Sequence, residues 1–164
     1  MDKNWSRRGL LLAAVASAIK SRAATVKLPD KVRLGIIGYD GHVDEILRIL
    51  PEFPDVELIA VADDASDSGA TQSALRNPSV SKARRDAAYP EMLERERLDC
   101  VAICNNNGGR AAAIISAAER KLNLIAEKPF GITRREFTWV IAAVEKNRIH
   151  ACCFPCCSIR NTLR

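Results

Sequence analysis

The sequence predicts a single α/β domain built on a doubly wound parallel sheet, and three features predict it. Short apolar runs alternate with segments whose apolar residues recur at helical spacing. The runs lack polar alternation, as strands buried on both faces do. The chain's 164 residues suffice for one hydrophobic core but not for two well-developed ones.

The elements follow in order. "VRLGII", Val32 to Ile37, is the first buried strand, and glycines follow it at once. Val43, Ile46, Leu47 and Leu50 then recur at helical spacing until Pro51 and Pro54 close the helix. "VELIAVAD", Val56 to Asp63, is the second strand, so the unit is a βαβ with a right-handed crossover. The next 25 residues, Asp64 to Ala88, are polar and turn-rich and read as loop with irregular or short helical structure. "YPEMLERERL" is a short helix with Pro90 early in it, and "DCVAIC", Asp99 to Cys104, is the next buried strand. "NNNGG" reads as a turn, "RAAAIISAAERK" as an alanine-rich helix and "NLIAEK", Asn123 to Lys128, as a further strand. Thr133 and Glu136 form the T-x-x-E of a capping box. The helix it opens is expected to bury Phe137, Val140, Ile141 and Val144.

The domain therefore spans residues 29–150, with an N-terminal extension and a cysteine-rich tail outside it. The net charge of +5 resides in the extension: residues 1–28 carry six Lys or Arg against one Asp. The segment from Asp30 to His150 carries 17 basic and 19 acidic residues, interspersed, which argues against a nucleic-acid surface. Residues 1–25 place Arg7 and Arg8 before an apolar run from Gly9 to Ile19 and then Ala23 and Ala24. That is the layout of a twin-arginine export signal, the other reading being a disordered extension. A functional signal implies a periplasmic or exported protein, and otherwise a cytoplasmic one. The apolar run is about half of the ~20 residues that a membrane span requires.

Cys100 and Cys104 read as small buried hydrophobes. Cys152, Cys153, Cys156 and Cys157 crowd into "CCFPCC", without the second, distant pair that a zinc site uses, so no metal site is expected. Residues 151–164 are expected to be disordered or aberrant.

In a doubly wound sheet the ligand crevice lies beyond the carboxyl ends of the strands. The residues placed there are Gly38 to His42, Asp63 to Ser66, Cys104 to Asn107 and Glu127 to Pro129. A diphosphate needs backbone N–H groups with no side chain in the way, and Gly38 and Gly41 meet that need. Read as G-x-G-x-x-G from Gly38, however, the second glycine is Asp40 and the third is Val43. The Asp40 carboxylate repels a phosphate, and Val43 pushes the helix from the strand. Asp63 ends the second strand 25 positions after Gly38, where an acidic side chain accepts hydrogen bonds from adenosine ribose hydroxyls. With no arginine immediately after it, NAD is preferred to NADP.

Glu127-Lys128-Pro129, within "NLIAEKPFGIT" and after a strand that ends in asparagines, closely resembles the E-K-P segment of the Gfo/Idh/MocA oxidoreductases, the glucose-fructose oxidoreductase and inositol dehydrogenase family. The resemblance runs from about Val32 to His150 and implies an NAD(P)-binding Rossmann fold. It also implies a dehydrogenase that moves hydride between a dinucleotide and a CH–OH group of a sugar-like or polyol substrate. Lys128 is the implied catalytic residue, assisting proton transfer beside the nicotinamide. Gly38, Asp40, Gly41, His42, Asp63, Asn105, Asn106, Glu127, Lys128 and Pro129 are the implied cofactor-binding residues. The family's T-P-N-x-x-H turn corresponds here to Asn105-Asn106-Asn107-Gly108-Gly109-Arg110, so its proline and histidine are absent and Arg110 places a fixed charge where an imidazole is usual.

Members of that family continue into a second α/β domain that supplies much of the substrate pocket and the oligomer interface. The expectation here is a nucleotide-binding half, incomplete as an enzyme, with homo-oligomerisation left open. The competing expectation is a non-catalytic Rossmann-like binding or interaction module, which Asp40 and the missing histidine favour.

Overall fold

The structure is a computed structural model and describes residues 30–62, 69–154 and 157–158. The export-signal reading of residues 1–25 and the role given to Asp63 fall outside these residues. Strand β1 is Val32–Ile37, and its last four residues are buried. Helix α1, Val43–Ile49, runs into a 3-10 turn, Leu50–Glu52, that Pro51 enters at a position where its missing N–H costs nothing. Strand β2, Val56–Ala62, lies parallel to β1, which completes the expected βαβ unit.

The stretch read as loop with irregular or short helical structure contains two short helices and, beyond that reading, a strand. It holds helix α2, Gly69–Leu75, helix α3, Pro78–Lys82, and the short strand β3, Arg84–Asp86. Helix α3 starts by an ordinary local rule: Pro78 fills its first turn, and Ser79 N–H donates to the Asn77 side chain at 2.9 Å. Strand β3 was hidden in the sequence because it is short, lies at the sheet edge and carries two exposed arginines before the buried Asp86.

Helix α4, Tyr89–Arg95, has Pro90 in its first turn, and strand β4 is Cys100–Ile103. Helix α5 starts at Asn107 rather than at Arg110, so "NNNGG" is a helix start and not a separate turn. Asn106 is its cap, accepting from Gly109 N–H at 2.9 Å. Strand β5 is Asn123–Ala126, which leaves Glu127 and Lys128 beyond its carboxyl end. The capping box of helix α6, Arg134–Asn147, is formed in full: Glu136 N–H donates to Thr133 Oγ1, and the Glu136 carboxylate accepts from Thr133 N–H.

Helix α6 buries Val140 and Val144, while Ile141 is half-buried and Phe137 is 45% exposed. The expected four-residue stripe is therefore narrower, because α6 packs chiefly on α5 and offers it one edge. The cysteine-rich stretch contributes strand β6, Ala151–Cys153, parallel to β5, and strand β7, Cys157–Ser158, antiparallel to β6. The sheet thus extends past the expected end of the domain at residue 150. Ala151 is buried, and small residues suffice for a strand this close to the sheet edge.

The strand order is β3-β2-β1-β4-β5-β6-β7. Helices α1 to α3 cover one face, where Val43, Ile46, Leu47, Ala74 and Val80 pack against Leu34, Ile36, Val61 and Ala102. Helices α4 to α6 cover the other, where Met92, Ile114, Ala117 and Val140 pack against Ile37, Val101, Ile103 and Leu124. Val43, in the place of a third fingerprint glycine, is fully buried within the first of these layers. The chain leaves β1 toward β2 and leaves β4 toward β5, so the direction of winding reverses between β1 and β4. That reversal opens a crevice at their carboxyl ends.

Candidate functional site

The crevice is built from three turns. The β1–α1 turn is shaped by Gly38 and Gly41, at φ of 73° and 67°, in the left-handed region that side chains resist. Each glycine also admits a neighbour. A Cβ on Gly38 would lie 2.5 Å from Asn105 Cα, and one on Gly41 would lie 2.7 Å from Glu127 Cδ. The turn is pinned further where Asp40 N–H donates to Cys104 O at 2.6 Å.

Glu127 is 3% exposed, and its side chain is the hub of the site. Oε1 accepts from His42 N–H at 2.7 Å and lies 2.7 Å from His42 Nδ1, while Oε2 accepts from Lys128 N–H at 3.3 Å. Its carboxylate therefore closes the start of α1 and orients the imidazole, whose other face meets the Phe154 ring at a centroid distance of 5.3 Å. This differs from the sequence expectation in one respect: Gly41 makes room for Glu127, not only for a ligand.

Arg110 is the second hub: it borders the cleft, yet it is 2% exposed and its guanidinium is bonded to the protein. Nη1 donates to Asn107 Oδ1 at 2.7 Å, to Lys128 O at 2.8 Å and to Pro129 O at 3.2 Å, and Nη2 donates to Asn105 O. Burial pulls this guanidinium below its ordinary pKa, and the charges of Glu127 and Asp40 oppose that pull. The signal for this role was the spacing itself: the first turn of α5 puts residue 110 over the β4 end, facing the E-K-P turn.

Asp40, Gly41, His42, Asn106, Asn107, Arg110, Glu127, Lys128 and Pro129 line one open cleft of about 430 Å³. Of the residues expected to bind a cofactor, the structure thus gathers all but three around that cleft. Asp63 lies outside the described residues, Gly38 is buried within the turn, and Asn105 is 1% exposed just past the end of β4. Asn106 spends its side-chain oxygen on capping α5. Lys128 is exposed, and among the described residues no carboxylate stands in ion-pair range of its ammonium. Cys104, beneath the turn, has its thiol pushed up to about 12 by burial, with Glu127 adding to the effect.

A dinucleotide fits these residues. The Asn105 side-chain amide is buried with neither its oxygen nor its nitrogen hydrogen-bonded, at the point of the crevice where the strands diverge. An amide left without partners there costs about 1–3 kcal/mol, which a ligand offering a hydroxyl or amide relieves. The turn, the cleft and the exposed lysine lie beside it. Among the described residues no group of His, Cys, Asp or Glu is arranged to hold a metal ion. No helix among them is long and apolar enough to cross a membrane.

Solved structures share this fold. A WlbA dehydrogenase from Chromobacterium violaceum, in complex with NADH and UDP-GlcNAcA, superimposes with a TM-score of 0.64 at 23% identity, over 79% of this chain and 37% of its own. The WlbA dehydrogenase from Bordetella pertussis, in complex with the same two compounds, gives 0.66 at 18%, over 78% and 37%. A myo-inositol 2-dehydrogenase from Lactobacillus plantarum gives 0.64 at 21%, over 76% and 36%. The chain thus spans little more than a third of the length of these structures. No curated protein matches the sequence. Residues 32–152 match the model of an oxidoreductase family with an NAD-binding Rossmann fold, and on that match the chain belongs to the Gfo/Idh/MocA oxidoreductases and carries their NAD-binding domain.

Proposed function

We propose that this domain binds NAD in preference to NADP and serves hydride transfer at the CH–OH carbon of a sugar-like or polyol substrate. The observation that carries the reading is the placement of Lys128. Lys128 is exposed and, among the described residues, has no carboxylate in ion-pair range; it lines the same cleft as Gly41 and His42. The nicotinamide supplies the hydride acceptor or donor. In the oxidative direction the Lys128 amine would take the hydroxyl proton as the C–H hydride leaves and the carbonyl forms, and in the reverse direction the ammonium would return that proton to the oxygen as hydride arrives. The UDP-GlcNAcA bound to the similar WlbA dehydrogenase, and the similarity to a myo-inositol 2-dehydrogenase, support a polyhydroxy compound. Preference for NAD rests on Asp63, at the position where an acidic side chain accepts from both ribose hydroxyls and repels a 2′-phosphate. Export through Arg7 and Arg8 is part of the same proposal, and cell fractionation with an Arg7→Lys, Arg8→Lys variant tests it.

A calorimetric titration of the full chain with NADH and NADPH tests the cofactor reading. Saturable binding of NADH, weaker binding of NADPH and a loss of about tenfold in NADH affinity in Asp63→Ala are expected, equivalent to one ribose hydrogen bond to a charged group. No binding of either nucleotide to a folded sample refutes it. Asp40, which borders the cleft, favours the second reading, a non-catalytic binding module.

A further inference from the structure

We propose that Arg110 is the positioning residue for Lys128, which it holds through hydrogen bonds to the backbone carbonyls of the E-K-P turn. The inference rests on the reading of Lys128 just given and deepens it. Lys128 extends from a turn beyond the end of β5, where the sheet no longer holds the backbone. Its own carbonyl and that of Pro129 both accept from Arg110 Nη1, at 2.8 and 3.2 Å. The other nitrogen of the guanidinium is fixed on the Asn105 carbonyl, at the end of β4, and Asn107 Oδ1 completes the set at 2.7 Å.

One planar, rigid group therefore ties the Lys128 backbone to the strand next to it and to the first turn of α5. A lysine at position 110 has one nitrogen and a flexible stem, and cannot span these acceptors at once. The pairing is also informative for what it lacks. Arg110 is buried without a carboxylate in ion-pair range among the described residues, and its Nε has no partner. A guanidinium kept only for stability would normally be paired. Here three of its four acceptors are backbone carbonyls, and two of those flank the Lys128 side chain or the residue after it.

The test reads Lys128 without any nucleotide. Lysines of the full chain are reductively methylated with a carbon-13 label, and Lys128→Arg assigns the Lys128 resonance. In Arg110→Lys the Lys128 resonance is expected to move by more than its linewidth and to broaden, while those of Lys82 and Lys146, far from the cleft, stay in place. Asn107→Ala, which loosens one acceptor at an exposed position and leaves the carbonyls bonded, is expected to move it in the same direction by less. Arg110→His, the residue type usual in the family, serves if Arg110→Lys does not fold. An unmoved Lys128 resonance in a folded variant overturns the proposal. Displacement of every lysine resonance overturns it too, because Arg110 would then support the fold as a whole. NADH titrations of the same samples keep the two ideas apart. A wild-type protein that binds no NADH refutes the proposed function, while the resonance still reports whether Arg110 sets Lys128.

Discussion

Replacing Gly41 with alanine tests the internal account of the glycine turn. The residue stands at φ 67°, which costs a side chain about 1–2 kcal/mol. Its new Cβ would lie 2.7 Å from Glu127 Cδ, 2.8 Å from Cγ and 2.9 Å from Oε1, so the carboxylate must move. Moving it breaks the charged hydrogen bond to His42 N–H, at about 1.5–3 kcal/mol. The expected loss is thus about 3–4 kcal/mol, read as the urea midpoint of the full chain by far-UV circular dichroism. A double-mutant cycle with Glu127→Ala sharpens it. With the Glu127 side chain cut back to Cβ, alanine at 41 costs only the backbone strain, so a coupling of about 2 kcal/mol is expected between the two changes. If Gly41→Ala costs the same in both backgrounds, Glu127 is not the reason for that glycine and the reasoning fails.

Other expectations concern charge and thiols. Arg33 bonds Asp99 through its side chain at 2.8 Å and holds that carboxyl down to about 2 from an ordinary 3.8. A lowered folded-state pKa gives stability that is present above about 4 and lost as pH falls through about 2, so Asp99→Asn should flatten the acid limb of a stability profile over that interval. An acid limb unchanged by the substitution would assign it to other carboxylates. Burial pushes the thiols of Cys100 and Cys104 up to about 11 and about 12, so pulsed iodoacetamide at pH 8, mapped by mass spectrometry, should leave both unmodified until the chain unfolds. Rapid labelling of Cys104 in the folded chain contradicts its burial at the end of β4. Asp40 borders the cleft, and one carboxylate near a phosphate opposes binding by about 1–2 kcal/mol at partly exposed sites. Asp40→Asn should therefore tighten NADH binding about tenfold at low salt and less at high salt, and an affinity that stays the same means that the carboxylate points away from the phosphates.

How much of this was legible in the sequence depends on which physical signal each part leaves. Strands β1, β2 and β4 announce themselves as apolar runs because each is covered on at least part of both faces, β5 does so although Asn123 and Ile125 are exposed, and the Thr133–Glu136 box marks the start of α6 by side-chain chemistry alone. Strands β3 and β6 leave no such signal. The first shows two exposed arginines to solvent, and the second needs only small residues beside β5. Helix α5 begins with two glycines that read as a turn, and only the hydrogen bond from Gly109 to Asn106 shows them to be helical.

The site divides along the same line. Gly41 and Lys128 were placed at the crevice by the strand ends that precede them, and the role expected of Lys128 came from the resemblance of its E-K-P segment. The bonds by which other side chains hold those residues in place were not read from the sequence. Glu127 and Arg110 are both charged, and a charge beside a crevice suggests a ligand group. In the fold each is almost wholly buried and spends its bonds on the protein, Glu127 on the α1 turn and Arg110 on the carbonyls around Lys128. What distinguishes the two roles is the direction of the side chain, which depends on where three separate turns meet and so leaves no periodic trace in the sequence. The same geometry sorts the charges that line the cleft among the described residues: Glu127 and Arg110 are bonded to the protein, while Lys128 and Asp40 border the cleft. On the proposed reading an anionic dinucleotide meets both of these, so the substitution at Asp40 is expected to strengthen binding and a substitution at Arg110 to act through Lys128.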